Sequence, residues 1–266
     1  MARISILVDN TGDDGLASEW GLAMALEDDA GGFWLWDTGA SPRFLDNAQA
    51  MGVDPARAQG LALSHGHYDH TGGIPALLRA GFSGPILAHA GVNRPRWARH
   101  KDKIDPVGIP APLERFEAVS GARQLTPDLT LVTDIPRLPG LPQSLNNLFL
   151  DPQGHTQDPV ADDAFVLLQT HRGPVLVLGC CHAGLENTLS CLRDRLGIQR
   201  LYGLVGGAHL HDADQERLDG ALRALVECGV EYLCLGHCTG QAAMTHLACA
   251  LDCRVEPLCS GLVLDF

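Results

Sequence analysis

No uninterrupted apolar run approaches the roughly 18 residues that a membrane-spanning helix needs. The opening "MARISILVDN" meets Asp9 too soon for a signal peptide. Both absences point to a cytoplasmic protein with no membrane partner. Positive charge is scarce: 19 Lys and Arg stand against 32 Asp and Glu, a formal net charge of −13. Broad electrostatic attachment to nucleic acid or anionic lipid is thereby disfavoured, and an anionic ligand would need a local basic patch. Cysteine is missing before Cys180. All nine lie from there onward, many within apolar runs such as "YLCLGHC" and "LACALDC", which reads as reduced, mostly buried thiols rather than a disulfide framework. Neither a G-x-S-x-G elbow nor a G-x-x-x-x-G-K-[ST] loop occurs, which weakens the serine-hydrolase and nucleotide-motor classes. There is no simple repeat and no low-complexity tract.

What remains is ordinary globular composition, 266 residues of which 45% are hydrophobic and 19% charged, enough for a sizeable core. Short strand-like runs occur at 4–9, 33–38, 60–65, 85–89, 164–170, 174–179, 201–207, 231–236 and 261–266. Between them, 16–28, 43–51, 73–80, 184–196, 213–228 and 240–251 carry apolar residues at helical spacing. The alternation predicts an α/β fold whose sheets are covered by helices. One domain is expected over 1–266. Residues 92–160 hold ten of the sixteen prolines and little periodicity, and read as an insertion of loops and short elements.

The densest chemistry is "SHGHYDHTGG", where His65, His67, Asp69 and His70 fall within six positions. "LALSHGHYDH" begins as a strand. In extended chain, positions 65, 67 and 69 project to one side, so two imidazoles and a carboxylate converge at its end, and His70 joins if the chain turns. Gly72 and Gly73 permit tight or positive-φ geometry for such a turn, and Pro75 suits the first turn of a helix. Neutral imidazole and carboxylate are the ligands expected for Zn, Fe or Mn, and four in six residues could begin two adjacent sites.

H-x-H-x-D-H after an apolar strand, preceded by the "DTG" of Asp37 to Gly39, resembles the metallo-β-lactamase superfamily. The resemblance covers nearly the whole chain and implies a four-layer αββα sandwich with its metal site between the sheet edges. More narrowly, "VDN" (8–10), "SEWGLA" (18–23), "DDAFVLL" (162–168), "GCCHAGLENT" (179–188), "VGGAHL" (205–210) and "GHCTG" (236–240) are similar to the branch named for 7,8-dihydropterin-6-yl-methyl-4-(β-D-ribofuranosyl)aminobenzene 5′-phosphate synthase. Where most of the superfamily ends a strand in a metal-bridging aspartate, His182 or Cys180 stands here, His182 being preferred because nitrogen ligands dominate the set. By the same resemblance His237 completes the second metal site. His209 is a metal ligand or a substrate contact. Asp37 accepts the outer N–H of a ligand histidine and fixes its tautomer. A separate third histidine, frequent in the superfamily, has no counterpart in "LVTDIPRLPG", so His182 supplies that ligand or one metal binds weakly; His89 is a further candidate.

Two divalent ions, zinc first with iron or manganese as alternatives, lower the pKa of a shared water and polarise a carbonyl or phosphoryl oxygen. The implied reaction is hydrolysis of a small phosphorylated or carbonyl-containing metabolite, with Asp69 as ligand and proton relay. A synthase joining a dihydropterin diphosphate to a ribofuranosylaminobenzene phosphate is the second reading. A non-catalytic metal-holding or redox-sensing module is the third. The stretch "NRPRWARHKDK" (93–103) gathers basic residues in an acidic chain. Arg94 and Arg96 are expected to hold an anionic group of a small-molecule substrate, with Trp97 stacking on a flat ring. A homo-oligomer is compatible with the sequence.

Overall fold

The computed structural model describes every residue except 13, 14, 30 and 144–146. Among the described residues two seven-stranded sheets dominate. The first runs, edge to edge, β17 (Val263–Asp265), β1 (Arg3–Val8), β2 (Ala23–Glu27), β3 (Phe33–Trp36), β4 (Leu61–Ala62), β5 (Ile86–His89) and β8 (Glu117–Val119). The second runs β16 (Arg254–Pro257), β15 (Tyr232–Gly236), β14 (Gly203–Gly207), β13 (Val175–Leu178), β12 (Phe165–Leu168), β10 (Leu129–Val132) and β9 (Ala122–Gln124). A small third sheet joins β11 (Leu148–Phe149), β6 (Trp97–His100) and β7 (Lys103–Pro106).

Side-chain alternation along the strands builds the layers. Ile4, Ile6, Met24 and Trp36 of the first sheet pack against Leu129, Val166, Val177 and Cys234 of the second, forming the core between the sheets. The intervening residues face outward. Leu176, Leu178, Leu233 and Leu235 meet α4 (Leu185–Leu196), α5 (Gln215–Glu227) and α6 (Gln241–Ala250) through Leu189, Leu225 and Leu247. Leu7, Ala25, Leu35 and Leu61 meet α1 (Arg43–Ala50) and α3 (Ile74–Arg79) through Phe44, Ala48 and Leu77. Helix, sheet, sheet, helix is thus written by a period of two in strands whose both faces are covered.

Three sequence expectations need correcting. Residues 16–28 were expected as a helix, yet 23–27 form β2: Met24 and Leu26 enter the inter-sheet core while Ala23 and Ala25 enter the outer one. Burial on both faces erases the alternation, and tertiary pairing overrides the helix preference of Ala, Leu and Met. The proline-rich 92–160 stretch is more than an insertion. It supplies the third sheet, but also β8, β9 and β10, which extend both main sheets. Gly72 and Gly73 have ordinary negative φ values of −65° and −78°. What they provide is closeness: a Cβ would lie 2.1 Å from the Ala40 carbonyl oxygen and 2.2 Å from that of Thr38, respectively.

Asp9, just past β1, is buried with Oδ1 lacking a hydrogen-bond partner. Burial lifts its carboxyl to about 6, against the opposing donations of Thr11 and Asn10. A carboxyl titrating higher in the folded than in the unfolded chain favours folding at low pH, and that contribution fades as pH rises through its folded value. Relative to Asp9→Asn, the native chain should therefore lose about 3 kcal/mol of stability between about pH 4 and pH 7. Urea unfolding of both proteins across that range measures it; a constant difference would refute it.

Candidate metal centre

Every residue of the cluster comes from the end of a strand or the turn after it. Asp37 follows β3, and Ser64, His65 and His67 follow β4. Asp69 lies in α2 (Tyr68–Thr71), not in extended chain as alternation suggests, and His70 joins it through that helical turn. Cys180 and His182 follow β13, His209 follows β14, and His237 follows β15. The sandwich brings both sheets' strand ends to one edge, which is how positions 65 and 237 meet.

Two triads of donor atoms result, His65 with His67 and His182, and Asp69 with His70 and His237; within each, the atoms lie within 4.8 Å of one another. His65 Nε2 faces His67 Nδ1 at 2.8 Å, and His70 Nε2 faces His237 Nε2 at 3.1 Å. Asp69 Oδ2 stands 3.9 Å from His70 Nε2 and 3.6 Å from His237 Nε2. The rings of His67 and His182 are 5.0 Å apart, edge to face.

Outer partners fix the tautomers. Asp37 Oδ2 accepts from His70 Nδ1 at 2.6 Å and from the Ser64 hydroxyl at 2.7 Å. Ser64 Oγ in turn accepts from His65 Nδ1 at 2.8 Å. His237 Nδ1 donates to Asn10 Oδ1 at 3.1 Å, and the Asn10 amide donates to the His237 carbonyl at 3.0 Å. With those outer protons placed, the Nε2 atoms of His65, His70 and His237 all turn inward. Asp37 is fully buried and acts through His70 rather than on any reacting atom.

Burial and neighbouring positive groups hold His65 and His67 well below the usual imidazole range, and burial likewise depresses His237. Burial pushes His70 down too, but Asp37 and Asp69 outweigh it and lift the ring to about 9. With no ion bound, that lift keeps a second proton on His70 Nε2, which a divalent ion would displace while taking up the nitrogen lone pairs that converge beside the carboxylate. On a tetrahedral ion two imidazole nitrogens stand about 3.3 Å apart, so the facing pairs need open by about half an ångström or less. His67 Nε2 is buried without a hydrogen-bond partner, a cost that only a strongly required ring position justifies. The donor set fits bound metal.

His67 and His182 of one triad and Asp69 and His237 of the other floor a cleft of about 460 Å³ that Trp20, Tyr68, Arg99, His100, His209 and His211 also line. The basic arm thus borders the cleft, but through different residues from those expected. Arg94 is exposed and outside the lining. Trp97 is half-buried, paired across strands with Phe149 and Pro106. Arg96 is buried, its guanidinium taken up by Asp162 and, at 2.7 Å, by Asp158. It has no free face for a substrate. Asp162 also accepts from the Gly66 N–H at 2.8 Å, so this ion pair braces the loop between His65 and His67. His89 lies apart, bonded to Asp134 at 2.9 Å. Sequence reasoning gave no role to Ser64, Asn10, Asp162 or Trp20; "SHGHYDHTGG", "VDN", "DDAFVLL" and "SEWGLA" carried them only within the resemblance.

The profile of the Metallo-beta-lactamase superfamily matches residues 21–237. The chain is 28% identical to 7,8-dihydropterin-6-methyl-4-(beta-D-ribofuranosyl)-aminobenzene-5′-phosphate synthase of Methanocaldococcus jannaschii, over 94% of this chain and 90% of that protein. Among solved structures, Tm1679, described as a metal-dependent hydrolase of the beta-lactamase superfamily, superposes with a TM-score of 0.85 at 23% identity, covering 100% of this chain and 99% of that one. A diphosphatase of the PhnP family gives 0.57 at 12% identity, covering 100% and 98%. These two likenesses speak to the fold, a four-layer α/β sandwich.

Two predictions follow from the outer partners and the brace. Asn10→Ala or Ser64→Ala should each weaken metal binding roughly 10- to 100-fold, the usual cost of losing a partner behind a ligand; chelator competition measures it, and unchanged affinity would remove the orienting role. Arg96→Ala should destabilise the fold by about 3–5 kcal/mol, because two buried carboxylates lose their counter-charge. A variant of native stability with only a raised KM would restore the substrate-binding role.

Proposed function

Because this chain belongs to the metallo-beta-lactamase superfamily, we propose that it is a metal-dependent hydrolase acting on a small, anionic phosphorylated or carbonyl-containing metabolite. Its cofactors are two divalent ions, zinc first. The observation that carries this reading is that members of both donor triads line one cleft. His65, His67 and His182 would hold one ion, and Asp69, His70 and His237 the other. Bound there, the ions lower the pKa of water and polarise a carbonyl or phosphoryl oxygen.

The chain's own residues do the rest. Asp69 lines the cleft; one oxygen of its carboxylate would ligate while the other takes up the proton of the attacking water. Asp37, Ser64 and Asn10 keep the ring lone pairs inward. His209, with its ring 4.5 Å from that of His182, meets the substrate at the cleft wall. Trp20 is 51% exposed and Tyr68 36%, so each offers an apolar face to a flat group, the task the sequence suggested for Trp97. The redox-sensor reading finds little footing: six of the nine cysteines are buried and Cys249 alone is exposed.

The likeness to the M. jannaschii synthase along most of both chains keeps a group-transfer reading in view. One experiment separates them. The metal-loaded protein is incubated with phosphomonoester, phosphodiester and lactone substrates, and in parallel with a dihydropterin diphosphate plus a ribofuranosylaminobenzene phosphate. Hydrolysis in the first set supports the proposal, and a joined product in the second replaces it. In either case Asp69→Ala should keep the fold by circular dichroism and lose turnover to background; retained turnover would overturn the role of Asp69.

A further inference from the structure

The adjacent cysteines Cys180 and Cys181 part company. Cys181 turns into the core beneath the helices, its Sγ 3.4 Å from the Thr188 hydroxyl. Cys180 turns the other way and lines the cleft. Its Sγ lies 3.2 Å from His70 Nε2. The same sulfur groups within 4.8 Å with donor atoms of His65 and His70, again with those of His182 and His209, and again with those of His237 and Cys238. It is therefore within reach of ligands from both triads.

We propose that Cys180 is a ligand of the metal centre, its sulfur within reach of donors from both triads. This rests on the two-metal reading above. On a tetrahedral ion a sulfur at about 2.3 Å and a nitrogen at about 2.0–2.1 Å stand about 3.6 Å apart, close to the 3.2 Å between Cys180 Sγ and His70 Nε2. On binding, the thiol gives its proton to solvent and the sulfur lone pairs form the metal bonds, with no change of oxidation state. Cys238 is the nearby competitor and also lines the cleft, but its Sγ donates to the Cys180 carbonyl oxygen at 3.6 Å and, among the described residues, it groups with His237 alone of the triad histidines, whereas Cys180 groups with donors of both triads. A thiolate here makes the centre softer than a histidine and carboxylate set. It selects zinc or iron(II) over manganese or magnesium.

Cobalt(II) tests this without reference to turnover, because thiolate bound to cobalt gives an intense near-ultraviolet charge-transfer band that imidazole and carboxylate do not. The apoprotein is loaded with cobalt and its metal content measured by elemental analysis. The wild type should show the band, Cys180→Ser should lose it while still binding cobalt, and Cys181→Ser and Cys238→Ser should keep it. A band that survives Cys180→Ser, or its absence from a wild type holding two cobalt ions, overturns the proposal while leaving the metal centre standing. A wild type that binds no cobalt overturns both. Should Cys180→Ser fail to fold, iodoacetamide labelling of the wild type decides: zinc should protect Cys180 from alkylation, and equal labelling with and without zinc overturns the assignment.

Discussion

Everything at this site depends on one constraint: several buried imidazoles must be held with their inner nitrogens facing one another. Left alone, such rings would rotate to share protons or would let water in. Here each outer nitrogen is tied down first. Asp37 receives His70 directly and His65 through the Ser64 hydroxyl, and Asn10 receives His237. The inward faces have no alternative but to converge, so the repulsion among them is prepaid by hydrogen bonds on the far side. A cation relieves it, which makes the bare constellation a receptor for positive charge.

The same logic explains why ion pairs recur one layer further out. The loop carrying His65 and His67 is short and curved, and the Gly66 N–H between them would be orphaned in the interior. Asp162 accepts it, but a buried carboxylate then needs its own partner, and Arg96 supplies that charge while Asp158 balances the guanidinium. Breaking such a set costs far more than forming it yields. A basic residue in an acidic chain was therefore drawn inward to stabilise a ligand loop, leaving Arg99 and His100 of the same arm at the cleft.

How much of this was legible in the sequence follows from distance along the chain. His65, His67, Asp69 and His70 announce themselves because four donors occupy six positions. The outward and inward strands of the second sheet were legible because Val175, Leu176, Val177 and Leu178 form an apolar run bounded by turns. His182 and His237 could be placed only as residues at strand ends, since their meeting with position 70 depends on two sheets packing. Asn10 and Ser64 carry no signal of their own: a serine and an asparagine become orienting groups only when residues 227 and 27 positions away along the chain arrive beside them. β2 was misread for a related reason, because a strand covered on both faces has no polar side to betray its period.

Backbone conformation adds a last step to the argument. Asp37, Cys181, His209 and His237 all have positive φ, at 60°, 58°, 46° and 51°. Each lies just beyond a strand, and none is glycine, so each spends energy on a conformation that L-residues avoid. Such strain persists only where the surroundings determine the side chain more strongly than the backbone can relax. For Asp37 the determinants are His70 and Ser64, for His237 they are both polar ends of Asn10, and for Cys181 they are the helix-packed core and Thr188. Since the turn at Cys181 is what sends the preceding sulfur toward the cleft and the following imidazole toward His65 and His67, the strained residue of this pair is the one that packs. Its neighbours on both sides are thereby freed to face the donors of the opposite sheet.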